Sequence, residues 1–375
     1  MTRAKFTAIW DKDDFDIEEN KITGLTRKGF KKLENNNGEI VFPKFEGVDT
    51  IEYGGADFVN SIKSAYIEDG YKKIGTGALS ARSMTEVRVP DSIEIISDIA
   101  FQYSKIKEFN FSQNIKEIGN GAFDYSALEE ADLSKTKIKS ISVSLFSDIW
   151  SLRKVVLPKS ILRIENEAFS NCESLKEVFI PKSVKTICRN AFYISGIEKV
   201  VLEDGSELRS IEESAFDGTL LKEINLEKAG SLEEIRNSAF EMTCLKSLKI
   251  ETDSNELFIG VRAFDESQLE VVHLKSKGTG LFIGKKAFKH TKVHDMHLSG
   301  EAVYVAEEAF ENANLQDFII ESEEVYLNQK AFKDNCLRKC EIKGLKSIYS
   351  NTFEGNPNLV FNLDEDVKIE EGGQL

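Results

Sequence analysis

The 375-residue chain is poor in several residue types, and each shortage excludes a class of protein. It has only 5 prolines, 4 histidines and 2 tryptophans. No run of eighteen apolar residues occurs, so the sequence offers no membrane-spanning helix and we expect no membrane insertion. The 64 Asp+Glu outnumber the 49 Lys+Arg, and the net charge of −15 would repel phosphate backbones. We therefore expect no nucleic-acid partner.

Motifs for catalysis are missing as well. The sequence has no Gly-x-Ser-x-Gly elbow, no His-Glu-x-x-His motif and no phosphate-binding loop ending in Gly-Lys-Ser/Thr. We predict that the chain is not an enzyme and uses no cofactor. Its cysteines follow no zinc-binding spacing, and we expect them to be buried thiols that pack as small hydrophobic residues. They are Cys172, Cys188, Cys244, Cys336 and Cys340.

Phenylalanine, by contrast, is abundant, with 25 copies, and most of them mark an internal repeat. An anchor residue, usually Phe in the dipeptide Ala-Phe, returns every 21 to 24 residues along most of the chain. The anchors are Phe58, Leu79, Phe101, Phe123, Phe146, Phe169, Phe192, Phe216, Phe240, Phe264, Phe288, Phe310, Phe332 and Phe353. So regular a spacing predicts stacked structural units rather than one compact core.

Each repeat carries the same pattern of apolar residues. In one copy Leu175, Val178 and Ile180 are followed by Val184 and Ile187, and then by the Ala-Phe pair. Alternation in the first part predicts a short half-buried strand, the Val-x-x-Ile part a second extended segment, and Ala-Phe a tight turn with a 3-10 character. One repeat is too small to bury these residues alone. Stacked repeats would bury one continuous core, with the Phe residues from Phe101 to Phe353 as its spine.

This pattern resembles the BspA-like subclass of leucine-rich repeat proteins. The family repeat reads Leu-x-x-Val-x-Ile-Pro, Val-x-x-Ile and Ala-Phe, and Leu175–Phe192 matches it nearly letter for letter, including Pro181. The resemblance implies a right-handed solenoid of short β-strands and turns. We expect a lead-in and cap over residues 1–36, about fourteen repeats over 37–363 and an acidic tail over 364–375. Residues 4–10 are similar to the end of small repeat modules in bacterial surface proteins, which would make the chain a segment of a longer protein.

The outward positions of the first strand suggest one binding surface. Val156, Phe179 and Val201 fall on three consecutive repeats of an otherwise polar row, and Lys154, Glu177 and Lys199 would flank them. An apolar patch rimmed by charge is typical of a protein-binding site. The alternative is that β-branched and aromatic residues simply favour strands.

Two further rows could hold metal ions. His273 and His297 fall at equivalent positions of adjacent repeats and could share a transition metal, or could be solvated neighbours. Glutamates recur at equivalent positions of consecutive repeats, where calcium could relieve their mutual repulsion. They are Glu86, Glu108 and Glu130 in one row, and Glu203, Glu227 and Glu251 in another. The alternative for these rows is a solvated acidic face.

The resemblance implies a function that composition and spacing do not show. Family members are surface-exposed or secreted proteins associated with adhesion. We therefore expect a non-enzymatic module at the cell surface or outside the cell that binds a protein partner, such as a host-derived protein. The first residues contain no apolar segment typical of a signal peptide. The alternative is a structural spacer or targeting segment of a larger surface protein whose active domain lies outside this chain.

Overall fold

The computed structural model describes residues 6–53, 55–363 and 366–371, and the side chains of residues 56–58 are not described. Three predicted features therefore fall wholly or partly outside the described residues. They are the side chain of the Phe58 anchor, residues 4 and 5 of the opening segment, and residues 364, 365 and 372–375 of the predicted tail. The chain divides into two compact units, Met1–Val178 and Phe179–Leu375, which we describe separately.

The N-terminal unit begins with a hairpin and a helix and continues as short strands. A 3-10 helix spans Lys12–Asp14. The helices are α1 (Arg27–Asn35) and α2 (Ala56–Ser61). The strands are β1 (Phe15–Glu18), β2 (Lys21–Leu25), β3 (Glu39–Phe42), β4 (Thr50–Ile51), β5 (Ser64–Ile67), β6 (Lys73–Ile74), β7 (Glu86–Arg88), β8 (Ile95–Ile96), β9 (Glu117–Ile118), β10 (Glu130–Asp132), β11 (Ser140–Ile141), β12 (Lys154–Val156) and β13 (Arg163–Ile164).

The described residues of the C-terminal unit form strands and the 3-10 helix Leu226–Lys228. The unit boundary falls within β14 (Glu177–Ile180). The later strands are β15 (Thr186–Ile187), β16 (Lys199–Leu202), β17 (Ser210–Ile211), β18 (Glu223–Ile224), β19 (Glu234–Ile235), β20 (Ser247–Thr252), β21 (Glu256–Ile259), β22 (Val271–Ser276), β23 (Gly280–Ile283), β24 (Asp295–Val305), β25 (Asp317–Leu327), β26 (Lys339–Tyr349) and β27 (Lys368–Glu370). No helix of the described residues combines the length and apolar character needed to cross a bilayer.

Strands one repeat apart pair in parallel within each unit. In the N-terminal unit the antiparallel β1–β2 hairpin leads into β4, β6, β8 and β9, and β3, β5 and β7 form a second series. In the C-terminal unit β15, β17, β19, β21 and β23 run in register into β24, β25 and β26. The two strands of a repeat merge into one eleven-residue strand in β24, β25 and β26. The fold is a parallel β-solenoid of about fourteen turns.

The anchor phenylalanines fill the interior of both units. Those from Phe101 to Phe332 are 0% exposed, whereas Phe353 near the end of the repeats is half-buried. In the C-terminal unit Phe216, Phe240 and Phe264 stack with ring centroids 5.1 Å apart and interplanar angles of 10° or less. The coil spacing of a parallel sheet, roughly 4.8 Å, explains this distance, because each coil contributes one ring.

A second set of hydrogen bonds joins the coils at the Ala-Phe turns. Ser214, Phe216 and Gly218 donate their N–H groups to carbonyls of the next coil, with N to O distances of 3.0, 2.8 and 3.0 Å. Ser214 and Gly218 have positive φ values of 52° and 67°. Because the residues on either side of the anchor are left-handed, alternate N–H groups point toward the neighbouring coil. Other repeats show the same pattern, mostly with residues other than glycine.

Removal of one stacked ring should destabilise the solenoid strongly. We expect Phe240→Ala to lower the free energy of unfolding by about 3–5 kcal/mol, because the cavity would lie between two further rings. Phe353→Ala is the matched control and should cost clearly less, since that ring is already half-exposed. Urea unfolding followed by circular dichroism measures both. An equal loss of unfolding free energy in the two variants would contradict the conclusion that the Phe stack forms the core.

Carboxylates that follow the anchors are packed between coils of the C-terminal unit. Arg262 contacts two of them, Glu241 at 2.5 Å and Asp265 at 3.0 Å. Asp217 accepts a hydrogen bond from the Ser214 hydroxyl at 3.3 Å. Burial, reinforced by the nearby Glu241, raises the pKa of Asp217 from 3.8 to about 6. The folded state therefore binds this proton more tightly than the unfolded state does.

Asp217→Asn should stabilise the protein in a pH-dependent way. Between the unfolded pKa of 3.8 and the folded pKa of about 6 the native state binds more protons, so the wild-type stability contributed by this group falls as pH rises through that window. Above this pH window, the variant should be more stable than the wild type by about 1 kcal/mol, a value discounted for the partial exposure of Asp217. Urea unfolding above pH 7 and near pH 4 tests this. The gain should vanish at the lower pH, and the exposed control Asp69→Asn should show no such pH dependence.

Candidate functional site

The predicted patch residues lie on the outward face of first strands. Lys154 and Val156 belong to β12 of the N-terminal unit, where Lys154 is exposed and Val156 half-buried. Glu177 is exposed on β14. In the C-terminal unit Phe179 is 48% exposed on β14, and the neighbouring strand β16 carries exposed Lys199 and half-buried Val201.

A groove of about 970 Å³ begins beside Val201 and continues across β18 to β20. Its lining includes the five lysines Lys199, Lys222, Lys246, Lys249 and Lys292, the three glutamates Glu223, Glu227 and Glu270, and the less polar Val201, Ile224 and Cys244. All of these residues belong to the C-terminal unit. The groove thus extends one end of the predicted patch, and sequence reasoning did not find it.

An interruption of the strand series coincides with the groove. Strand β18 has only two residues and pairs with β16, and among the described strand pairs none joins it to β20. The side chain of the next residue, Asn225, makes the hydrogen bonds that the backbone of a third strand residue would otherwise make. Its Oδ1 accepts from the Leu202 N–H at 2.7 Å, and its Nδ2 donates to the Leu202 carbonyl at 3.0 Å. The chain then turns into the 3-10 helix Leu226–Lys228, which packs against β20.

The lining of the groove carries more positive than negative groups, although the whole chain is acidic. Two lysines form cross-coil ion pairs, Lys222 with Glu198 at 2.7 Å and Lys246 with Glu270 at 3.2 Å. The hydrogen bond to Glu198 raises the pKa of Lys222, so this ammonium stays charged at neutral pH. The lining of the groove therefore combines apolar side chains with an excess of cationic ones.

The cysteines differ in burial, which corrects the expectation that all five are buried. Only Cys172 and Cys188 are buried, whereas Cys244 and Cys340 are half-buried and Cys336 is exposed. Cys244 and Cys336 lie ahead of β20 and β26, outside the strands themselves. Burial raises the pKa of Cys172 well above its ordinary value and that of Cys340 to about 12.

Thiol labelling should follow this order of exposure. Cys336 and Cys244 should react with maleimide in the native protein, Cys340 more slowly, and Cys172 and Cys188 only after unfolding, because the thiolate is the reactive form and needs access. Time-resolved labelling with peptide mass mapping measures each site. Native labelling of Cys188 as fast as that of Cys244 would contradict the structure.

The two histidines singled out by the sequence are neighbours but face separate carboxylates. His273 and His297 are paired in register on β22 and β24, with ring centroids 6.3 Å apart. His273 Nε2 lies 3.0 Å from Asp295 Oδ1, and His297 Nε2 lies 3.3 Å from Glu321 Oε2. Among the described residues, no group of three or more His, Cys, Asp or Glu side chains is arranged to hold a metal ion.

Two glutamates of the second row have protein groups as partners in the C-terminal unit. Glu251 lies 3.0 Å from Lys277 and 3.4 Å from Lys275, and these hydrogen bonds lower its pKa. Glu203 accepts from the backbone N–H of Lys182 at 2.9 Å. Of the other row, Glu108 and Glu130 are exposed in the N-terminal unit. The ammonium groups of two lysines thus relieve the repulsion at Glu251 without a metal ion.

Comparison with known proteins agrees with the repeat geometry. A model of the BspA type leucine rich repeat region matches residues 23–149, 139–270 and 233–360, which together span most of the chain. The chain belongs to the BspA-type leucine-rich repeat family. The predicted family and fold are therefore confirmed. Among curated proteins, none matches the sequence of this chain.

Several solved structures of bacterial proteins are similar to this BspA-type protein. One from Bacteroides ovatus aligns with a TM-score of 0.69 at 20% identity, over 98% of this chain and 100% of that one. A leucine-rich cell surface protein from Faecalibacterium prausnitzii aligns with a TM-score of 0.31 at 18% identity, over 98% and 95% of the two chains. The pneumococcal vaccine antigen PcpA aligns with a TM-score of 0.37 at 17% identity, over 98% and 94%. At these identities the likeness to the Bacteroides protein concerns the fold alone.

Proposed function

We propose that this BspA-type protein is a non-enzymatic recognition module that binds a protein partner through the outward strand face of its C-terminal unit. The single observation that carries the proposal is the groove at the strand interruption, which continues the face that presents Phe179 and Val201. A concave surface with apolar floor and charged rim is typical of protein-binding sites. A place at the cell surface or in the secreted fraction, and a host-derived partner, belong to this proposal and are supported by the family.

Phe179 is the main apolar contact residue of the proposed interface. Nearly half of its side chain is exposed, although the flanking Val178 and Ile180 are buried. An aromatic ring held on a rigid strand loses little conformational entropy on binding, and such residues supply much of the affinity in protein interfaces. The lysines of the groove would add specificity and a faster association with an acidic partner surface.

Substitution of Phe179 tests the proposed interface. Binding to a panel of purified host extracellular-matrix proteins and bacterial surface proteins would first be measured by biolayer interferometry. For any partner bound by the wild type, Phe179→Asp should weaken affinity by about tenfold or more, because a charge would replace a buried anchor. Lys222→Glu, which reverses a charge in the groove, should weaken it too.

The controls separate this interface from other surfaces. Phe258→Asp changes a phenylalanine of similar exposure, 41%, that lies on β21 and so outside the strand series β14, β16 and β18, and it should leave the affinity unchanged. A bound partner should also slow maleimide labelling of Cys244 but not of Cys336. An affinity that is indifferent to Phe179→Asp and Lys222→Glu would contradict this interface. If the wild-type protein binds no member of the panel, the alternative of a structural spacer would be favoured.

A further inference from the structure

Three exposed aromatic residues follow the consecutive anchors Phe101, Phe123 and Phe146 of the N-terminal unit. Tyr103, Tyr125 and Trp150 are 38%, 42% and 58% exposed, and we call them the turn aromatic cluster. The rings of Tyr103 and Tyr125 stack with centroids 5.3 Å apart. Trp150 meets Tyr125 at 6.3 Å with an interplanar angle of 89°. Tyrosine and tryptophan are the residues most enriched in interface hot spots.

Two of these residues occupy a backbone conformation that suits them poorly. Tyr103 and Tyr125 have φ values of 61° and 53°. The equivalent position is left-handed in other repeats as well, where it holds Asn171, Gly218 and Asn312 but also Ile194 and Met242. Asparagine and glycine adopt this conformation at a lower cost than a bulky aromatic residue does. Because both tyrosine rings are exposed, burial in the core does not account for them.

The charges around the cluster are mainly negative. Asp148 lies beside the Tyr125 hydroxyl and raises the pKa of that tyrosine. Its carboxylate is fixed in place by Asn171 Nδ2 at 3.0 Å and by the Ser147 hydroxyl at 2.8 Å. Asp124 adds a second carboxylate, which accepts from Gln102 Nε2 at 2.8 Å. A group that docks on these rings therefore meets two oriented carboxylates.

One cation already occupies part of the surface. The Arg82 guanidinium lies over the Tyr103 ring, 4.8 Å from its centroid. A cation over an aromatic face is attracted by the ring quadrupole, and carboxylates at the ring edge add to the attraction. Tyr125 and Trp150 offer the same combination to a group from outside, because their rings form a right-angled corner beside Asp148.

We propose that the turn aromatic cluster binds lysine and arginine side chains of a basic segment in a partner protein. The exposed rings supply the cation–π contacts, and Asp124 and Asp148 supply the complementary charge. This site shares no residue with the cation-lined groove and selects ligands of the opposite charge. It therefore stands or falls independently of the function proposed above.

The intrinsic fluorescence of the intact protein provides the test. The chain has 2 tryptophans, and Trp10 is only 6% exposed, so Trp150 dominates any ligand-dependent change. Titration with short oligoarginine and oligolysine peptides should change its emission with saturable binding, whereas a Gly-Ser peptide and an oligoglutamate peptide should not. Binding of the same peptides would be measured by fluorescence anisotropy of a labelled peptide, so that variants without Trp150 can be compared.

The variants separate a built site from general attraction to an acidic protein. Tyr125→Asn and Trp150→Leu should each weaken peptide binding at least tenfold. Tyr125→Asn should leave the melting temperature unchanged or raise it, because asparagine accepts the left-handed backbone. Met242→Asn is the matched control. Met242 is also exposed, at 56%, and left-handed, with φ of 57°, but it lies in the C-terminal unit and is not part of the turn aromatic cluster. It should not change binding.

Three outcomes would overturn the proposal. Peptide binding that survives both cluster variants would show only attraction to the net charge of the chain. An equal loss with Met242→Asn would point to a general effect on the turns. Trp150 emission that responds to neutral oligosaccharides and not to the basic peptides would make the cluster a glycan site instead.

Discussion

The structure depends on contact between one coil and the next. A single repeat of 21 to 24 residues has too few apolar groups for a core, so each Phe ring is buried only because neighbouring coils cover its two faces. Backbone hydrogen bonds at the strands and at the Ala-Phe turns add to the same contact. Stability is therefore a sum over interfaces between coils, and a local change is felt first by the adjoining repeats.

Departures from this regularity create the features that bear on function. Where Asn225 replaces a third strand residue by its side-chain amide, the strand series stops and the groove opens. Where tyrosine occupies the left-handed turn position after an anchor, an aromatic ring is placed in solvent. Both departures leave the Phe stack intact. A solenoid can vary its outward residues in this way because the inward ones carry its stability.

Much of the architecture could be predicted from the amino acids. Anchor spacing and the alternation around Val178 and Ile180 indicated the parallel coils, and the outward direction of Lys154, Phe179 and Lys199 followed from strand periodicity. Prediction went wrong where burial has no periodic signal. Cys244 and Cys336 were expected to be buried but are half-buried and exposed, because they lie ahead of β20 and β26, where the in–out alternation of a strand does not apply. The groove was not predicted, because the sequence of the two-residue strand β18 does not show that its pairing stops there.

Periodic apolar residues were enough to specify a stacked coil, since a pattern that repeats every 21 to 24 residues can be buried only against its own copies. The three-dimensional arrangement decided the rest. It placed the lysines of five positions around one groove, set tyrosines at positive φ, and paired Glu251 with two lysines rather than with its stacked neighbours. These results depend on distances between side chains of different coils, which no single repeat contains.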